Sequence, residues 1–155
     1  GTGTHPTTRL CLEWLDGHEI KDKTVIDYGC GSGILAIAAA LLGAASVVGV
    51  DNDPQAITAS DENARRNKVS EMIDAYLPGH EPKAAVDLLL ANILAGPLGE
   101  LAPLFAERVK PGGNLVLSGI LPEQAEGLRE VYSAWFEMAP AVELDGWIRL
   151  EGVRR

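Results

Sequence analysis

Three glycines alternate with other residues in Val25-Ile26-Asp27-Tyr28-Gly29-Cys30-Gly31-Ser32-Gly33, and a carboxylate stands two positions before the first of them. Gly29, Gly31 and Gly33 let the backbone come close to a ligand, because a residue without a side chain accepts positive φ and leaves room. A loop that cradles a dinucleotide pyrophosphate has the spacing G-x-G-x-x-G. Here the third glycine comes one residue early, and Ile34 fills the fingerprint position. Asp27 would also repel a pyrophosphate, whereas it suits a ligand with an ammonium group and no phosphate. S-adenosylmethionine carries an α-ammonium, a sulfonium and a neutral adenosine, so the pattern favours this methyl donor over a dinucleotide. Read without a ligand, Asp27 is a loop or helix-capping carboxylate.

Two further polar residues stand where apolar strands would end. Asp51 follows Val47-Val48-Gly49-Val50. A carboxylate there can accept from both ribose hydroxyls, a role shared with nicotinamide-binding folds; alone, it reads equally as a turn residue before Asp53-Pro54. Asn92 closes the apolar run from Val86. A side-chain amide at that strand end faces the transferring methyl, and its carbonyl would orient an attacking amine. Many amino-group methyltransferases continue with Pro-Pro and an aromatic; Asn92-Ile93-Leu94-Ala95 matches at the first position only, and a plain strand cap is the alternative. Cys30 has no base beside it, so a small buried filler is expected rather than a reactive thiol.

These residues need elements to hold them. Apolar spacing predicts a leading helix over residues 5–15, opened by Pro6, Thr7 and Thr8, within a segment 1–18. Strands are predicted at 24–27, 46–50, 72–76, 86–92, 114–120, 138–144 and 147–153, the last two joined by an Asp145-Gly146 turn. Helices are predicted at 34–42, 53–67, 97–108 and 122–135, the second of these opened by an Asp53 cap with Pro54 at the first helical position. Strands alternating with helices require right-handed crossovers. The expected fold is α/β: a doubly wound, Rossmann-like, mostly parallel seven-stranded sheet with a C-terminal antiparallel hairpin. Ligands of such sheets sit at the carboxyl ends of the strands, where strand order reverses.

Composition narrows the classes further. With 155 residues, 46% of them hydrophobic, the chain suits one domain that buries its own core. The formal charge of −9, with no long run of either sign, argues against a broad nucleic-acid footprint. Cys11 and Cys30 lack metal or redox spacing, which fits a reducing cytoplasm and no metal. Residues 34–50 are strongly apolar, but a Gly-Ala-Ala-Ser break divides them into a buried helix and a buried strand rather than a membrane span. The chain starts at Gly1 without Met, and an excised domain is expected.

Four segments together, Gly1-Thr2-Gly3-Thr4-His5-Pro6-Thr7-Thr8, the glycine loop, Val48-Gly49-Val50-Asp51-Asn52-Asp53-Pro54 and Ala91-Asn92-Ile93-Leu94-Ala95-Gly96-Pro97-Leu98, resemble the ribosomal protein L11 methyltransferase family. The glycine loop alone marks only the class I methyltransferase fold; the first and last segments are specific to the family. The resemblance implies a cytoplasmic bacterial enzyme that uses S-adenosylmethionine, yielding S-adenosylhomocysteine, to methylate lysine side chains and the terminal α-amine of a large-subunit ribosomal protein. It places cofactor contacts at Thr8, Gly29, Asp51 and Asn92. It also implies a separate N-terminal recognition domain that precedes this chain, so residues 1–155 are expected to be a single cofactor-binding catalytic domain, weak or inactive alone on the protein substrate. His5 is the only histidine in these segments, a candidate proton acceptor against a loop-fixing role. No membrane, no nucleic acid and a monomer are expected. The competing readings are an RNA methyltransferase, which would be expected to show a basic groove, and a docking module without activity.

Overall fold

The computed structural model describes residues 5–155. The Gly1-Thr2-Gly3-Thr4 part of the first family segment lies outside them. The order of elements is α1 (Pro6–Asp16), β1 (Thr24–Tyr28), α2 (Ile34–Leu41), β2 (Ser46–Val50), α3 (Pro54–Arg66), β3 (Ile73–Tyr76), β4 (Val86–Asn92), α4 (Ala95–Arg108), β5 (Val109–Ile120), α5 (Pro122–Tyr132), β6 (Phe136–Met138), β7 (Val142–Leu144) and β8 (Trp147–Arg154). The strands form one sheet in the order β3-β2-β1-β4-β5-β8-β6, with β7 also paired to β8. The first five strands run parallel, and β8 is antiparallel to β5. Strand order reverses between β1 and β4, which puts the glycine loop after β1 next to Asn92 at the end of β4.

Side chains alternate across the sheet, so each central strand feeds two cores. On β4, Leu89 and Ala91 join Phe105, Tyr132 and Phe136 beneath α4 and α5. Leu88 and Leu90 join Trp14, Leu35 and Ile37 beneath α1, α2 and α3. Covered on both faces, β4 has no polar side to present, which is why its sequence reads as a continuous apolar run. Truncating Leu89 or Leu90, both fully buried, would cost about 2–5 kcal/mol through lost transfer energy and an unfilled cavity.

The sheet has eight strands, not the expected seven. Residues 138–144 do not form one strand; β6 and β7 lie along the same edge of β8 and are separated at Pro140. Met138 pairs with Gly152 and Val142 with Arg149, so the register slips by one residue across the proline. Proline has no N–H to give a ladder and is accommodated at an edge by such a bulge. Three further boundaries differ by more than one residue. Helix α4 begins at Ala95, before Pro97, because a first-turn proline forfeits an N–H that has no helical partner anyway. Strand β5 begins at Val109 rather than residue 114, and residues 110–113 form a bulge within it: Val86 pairs with Val109 but Leu88 with Asn114. Helix α5 stops at Tyr132 rather than Trp135.

Candidate functional site

The glycine loop is held by protein acceptors on almost every side. The N–H groups of Gly29 and Cys30 both donate to the Val50 carbonyl, at 2.6 and 3.0 Å. The Gly31 N–H donates to Asp51 Oδ2 at 2.9 Å, while Asp51 Oδ1 accepts from Asp53 N–H at 2.9 Å. The Gly33 N–H goes to the Cys30 carbonyl. From α3, Ser60 Oγ donates to the Gly31 carbonyl at 2.8 Å and Asn63 Nδ2 to the Ser32 carbonyl at 2.9 Å. The sequence signalled Asp51 in this network but not Ser60 or Asn63, which look like ordinary polar helix residues.

Conformation separates the three glycines. At Gly29, φ is 84° and an added Cβ would run into Ile93 Cγ2; at Gly33, φ is 90° and the space is filled by Ser60. At Gly31, φ is 54° and nothing lies within 4 Å of where a Cβ would be. Gly29 and Gly33 thus allow close packing of protein on protein, while Gly31 has open space where a side chain would stand.

Asp27 does the capping that Gly33 cannot. Gly33 is the N-cap of α2 and has no side chain to offer; Asp27 Oδ2 instead accepts the Ala36 N–H at 3.2 Å from the strand. The carboxyl is 1% exposed. Burial pushes it up to about 7, against the lowering effect of the Ala36 hydrogen bond and helped by the negative charge of Asp51. The capping alternative is therefore present in the structure, and Asp27 also lines a cavity.

That cavity, of about 170 Å³, is bounded by Thr8, Asp27, Gly29, Gly31, Ile34 and Asn92 among others. Asn92 Nδ2 donates weakly to Thr8 Oγ1 at 3.4 Å, joining the end of β4 to the first turn of α1. A second cavity, of about 460 Å³, lies on the other side of Gly29 and has Asp51, Pro78, Ile93, Leu94 and Glu100 in its wall. Glu100 was not foreseen; it falls on the same side of α4 as Pro97 and Leu101, a helical spacing that points all three into this cavity. The described lining residues of the two cavities include three carboxylates and no Lys, Arg or His.

Of the candidates read from the sequence, Thr8, Asp27, Gly29, Gly31, Asp51 and Asn92 converge on these adjoining cavities, and Gly33 supports the loop from behind. His5 lines neither. It is the N-cap of α1, where Nδ1 accepts the Thr7 N–H at 3.2 Å and lies 2.8 Å from Thr7 Oγ1, with its ring against Trp147. Cys30 is buried against Gly49, and burial pushes its thiol up to about 11, so it is not a thiolate at neutral pH. Among the described residues no group of His, Cys, Asp or Glu is arranged to hold a metal, and no helix is long and apolar enough to cross a membrane.

The donor set fits a cationic nucleoside better than a phosphate. An anion-binding loop presents free backbone N–H groups; here those of Gly29, Cys30, Gly31 and Gly33 are consumed within the protein, and the charged groups among the described lining residues are all carboxylates.

The family model described as ribosomal protein L11 methyltransferase matches residues 1–155. A ribosomal protein L11 methyltransferase from Shewanella piezotolerans is 60% identical over the whole chain, and one from Pseudomonas paraeruginosa is 59% identical. The chain spans about half the length of these curated relatives, 53% of each. A crystal structure of ribosomal protein L11 methylase from Lactobacillus delbrueckii subsp. bulgaricus superposes with a TM-score of 0.86 at 33% identity, over 99% of this chain and 81% of that one. The shared architecture is the class I methyltransferase fold.

Proposed function

This chain belongs to the ribosomal protein L11 methyltransferase family, and we propose that it is the single catalytic domain of such an enzyme, binding S-adenosylmethionine and methylating lysine side chains and the terminal α-amine of a large-subunit ribosomal protein. The observation that carries this reading is the acidic wall of the two cavities, Asp27, Asp51 and Glu100, beside a loop in which the N–H groups of Gly29, Cys30, Gly31 and Gly33 are spent on Val50, Asp51 and Cys30. A polyanionic cofactor would meet three carboxylates and no Lys, Arg or His among the described lining residues; a sulfonium nucleoside meets complementary charge.

In this reading Asp51 receives the ribose hydroxyls in the larger cavity, and Asp27 with Thr8 receives the ammonium and carboxylate in the smaller one. Gly29, at the junction, leaves room for the chain between. When bound, S-adenosylmethionine supplies an electrophilic methyl on sulfur, so the difficult chemistry belongs to the cofactor. The protein has to bring a neutral amine into line. A lysine amine free in water holds its proton up to a pH of about 10.4 and must lose it before attack. Asn92 gives its Nδ2 to Thr8, which leaves Oδ1 as an acceptor for an amine N–H and orients the nitrogen lone pair toward the methyl. His5, as the cap of α1, would reach a departing proton only through water. We place the recognition of the ribosomal protein in the other half of the longer relatives' length, and the enzyme in the cytoplasm as a monomer.

The test is to incubate the full-length protein with methyl-labelled donor and either isolated ribosomal proteins or stripped rRNA. Label entering an amine of the ribosomal protein is the expected result. Label in RNA would move the protein to the other substrate class, and label in neither would favour a docking role. Calorimetric titration with the methyl donor and with NAD, each alone, separates the cofactor assignment from the substrate assignment.

A further inference from the structure

We infer that Ser118 is a positioning residue for the methyl-donor site, acting from behind Asn92 by fixing the helix that carries Thr8. The inference rests on the reading above that Thr8, held by Asn92, contacts the donor.

Ser118 is the lone hydroxyl in the apolar run Leu115–Ile120 and is fully buried. It lines neither cavity, so it cannot touch a ligand directly. In the parallel pairing of β4 with β5, Asn92 and Ser118 are register partners, so their side chains leave the same face of the sheet. That is the face on which Leu88, Leu90 and Val116 pack, together with Trp14 and Leu15 of α1. Ser118 Oγ donates to the Thr7 carbonyl at 2.9 Å, across 111 positions of sequence. The residue that follows Thr7 is Thr8, whose hydroxyl takes the Asn92 amide. Ser118, Thr7, Thr8 and Asn92 therefore make a closed circuit between two adjacent strands and the first turn of α1.

The Thr7 carbonyl lies inside a helix and has its own N–H partner four residues on. The serine bond satisfies no orphan group of the backbone; its effect is to fix where α1 sits. A second strand-to-helix bond of the same kind lies one turn further along: Arg149 Nη1 donates to the Leu10 carbonyl at 2.8 Å, and its Nη2 is steadied by Glu151 Oε1 at 3.1 Å. Glu151 in turn accepts from Trp14 Nε1 at 2.9 Å. Van der Waals contact alone would let α1 slide or rotate by a fraction of an ångström. Two directed bonds to backbone carbonyls, with the indole bond beyond them, resist both motions. The hydroxyl of Thr8 needs that resistance, because its bond to Asn92 is already long.

The experiment is a double-mutant cycle in the full-length protein, read by calorimetric affinity for S-adenosylhomocysteine, with thermal unfolding recorded for every variant. Ser118→Ala is expected to weaken binding about five- to tenfold, the worth of one well-placed hydrogen bond, with little change in unfolding temperature. In a Thr8→Ala background the same substitution should change affinity less than about twofold, whereas in an Asp51→Ala background, two strands away from β4, it should keep its full effect. Equal effects in the two backgrounds would mean that Ser118 acts on the fold at large and would overturn the inference. Normal binding by Ser118→Ala, with Thr8→Ala impaired, would also overturn it while leaving the assignment of Thr8 standing. If Thr8→Ala itself binds normally, that assignment falls and this inference with it. Arg149→Lys, which keeps the charge but gives up the second bond of the guanidinium fork, should show the same dependence on Thr8; independence from Thr8 would count against the circuit.

Discussion

The Asp51 carboxylate, at the end of β2, accepts the backbone N–H of Gly31, in the loop after β1, at 2.9 Å. Its other oxygen accepts Asp53 N–H, so one side chain sets both the conformation of the glycine loop and the entry to α3, where Asp53 Oδ1 caps the Gln55 N–H. Asp51 therefore has two roles to lose: the proposed ribose contact and the shape of the loop.

Asp51→Ala is expected to weaken S-adenosylmethionine binding by at least about thirtyfold, the loss of two or more charge-assisted hydrogen bonds worth roughly 1.5–3 kcal/mol each partly offset by loop relaxation. Hydrogen exchange distinguishes the two roles, since the Gly31 and Asp53 amides should lose protection even without ligand. Wild-type affinity in this variant would remove the electrostatic basis of the cofactor assignment.

Asp27 gives a pH dependence whose sign is fixed by burial. Its carboxyl, raised to about 7, returns to about 3.9 in the unfolded chain. Between about pH 4 and about 7 the native state holds a proton that the unfolded state has released, so this group's contribution to stability is full below about 4 and is lost as pH rises through about 7. Binding of a cationic donor runs the other way, because it requires the anion: affinity should climb through neutrality and then level off. Asp27→Asn, which keeps an acceptor for Ala36 N–H but cannot ionise, should flatten both slopes. Urea unfolding and donor titrations between pH 5 and 8.5 read them, and proton release on binding, seen as a dependence of the heat on buffer ionisation, should vanish in the variant.

The glycine loop predicts a split between folding and binding. Gly29→Ala has to place a methyl into Ile93 at a φ of 84°, whereas Gly31→Ala meets nothing within 4 Å at a φ of 54°. The first should fold poorly, with a markedly lowered unfolding temperature. The second should cost only about 1–2 kcal/mol, the ordinary penalty for a left-handed alanine, yet lose donor affinity because its methyl stands where ligand is expected. Thermal melts and calorimetry on both variants check this. A Gly31→Ala protein that binds normally would show that the open side of the loop is not the ligand side.

What could be read from the chain follows from how local its physics is. Asp53-Pro54, the alternating glycines and the apolar run ending at Asn92 each declare themselves within a few residues, and the structure puts them at the carboxyl edge of the sheet where strand order reverses. The slip at Pro140 was not legible, since a proline in a short edge run is compatible with a loop, a bulge or a shortened strand until its partner β8 is known. Nor were the contacts of Ser118 and Arg149 with α1, whose partners are more than a hundred residues away. His5 sits between these cases: its place before Pro6 is a helix-cap signal, but a histidine is a rarer cap than Ser, Thr or Asp, and a catalytic reading competes with it.

Asn92 and His5 can be separated by which kinetic quantity each controls. Asn92→Ala leaves Thr8 without the amide and leaves an incoming amine without the Oδ1 acceptor, so in the full-length enzyme methyl transfer should fall about a hundredfold, the scale of lost orientation at a reacting centre, while donor affinity falls only about tenfold, as for loss of the Ser118 hydroxyl. His5→Asn retains a side-chain oxygen able to cap α1, and a capping residue is worth only about 1 kcal/mol in any case. That variant should keep transfer within about threefold of wild type and an unchanged pH profile. A large loss with an altered acid limb would instead assign His5 to the proton that leaves the amine. Single-turnover transfer to the isolated ribosomal protein, measured beside equilibrium donor binding, resolves the two quantities because binding and the methyl step are then read independently.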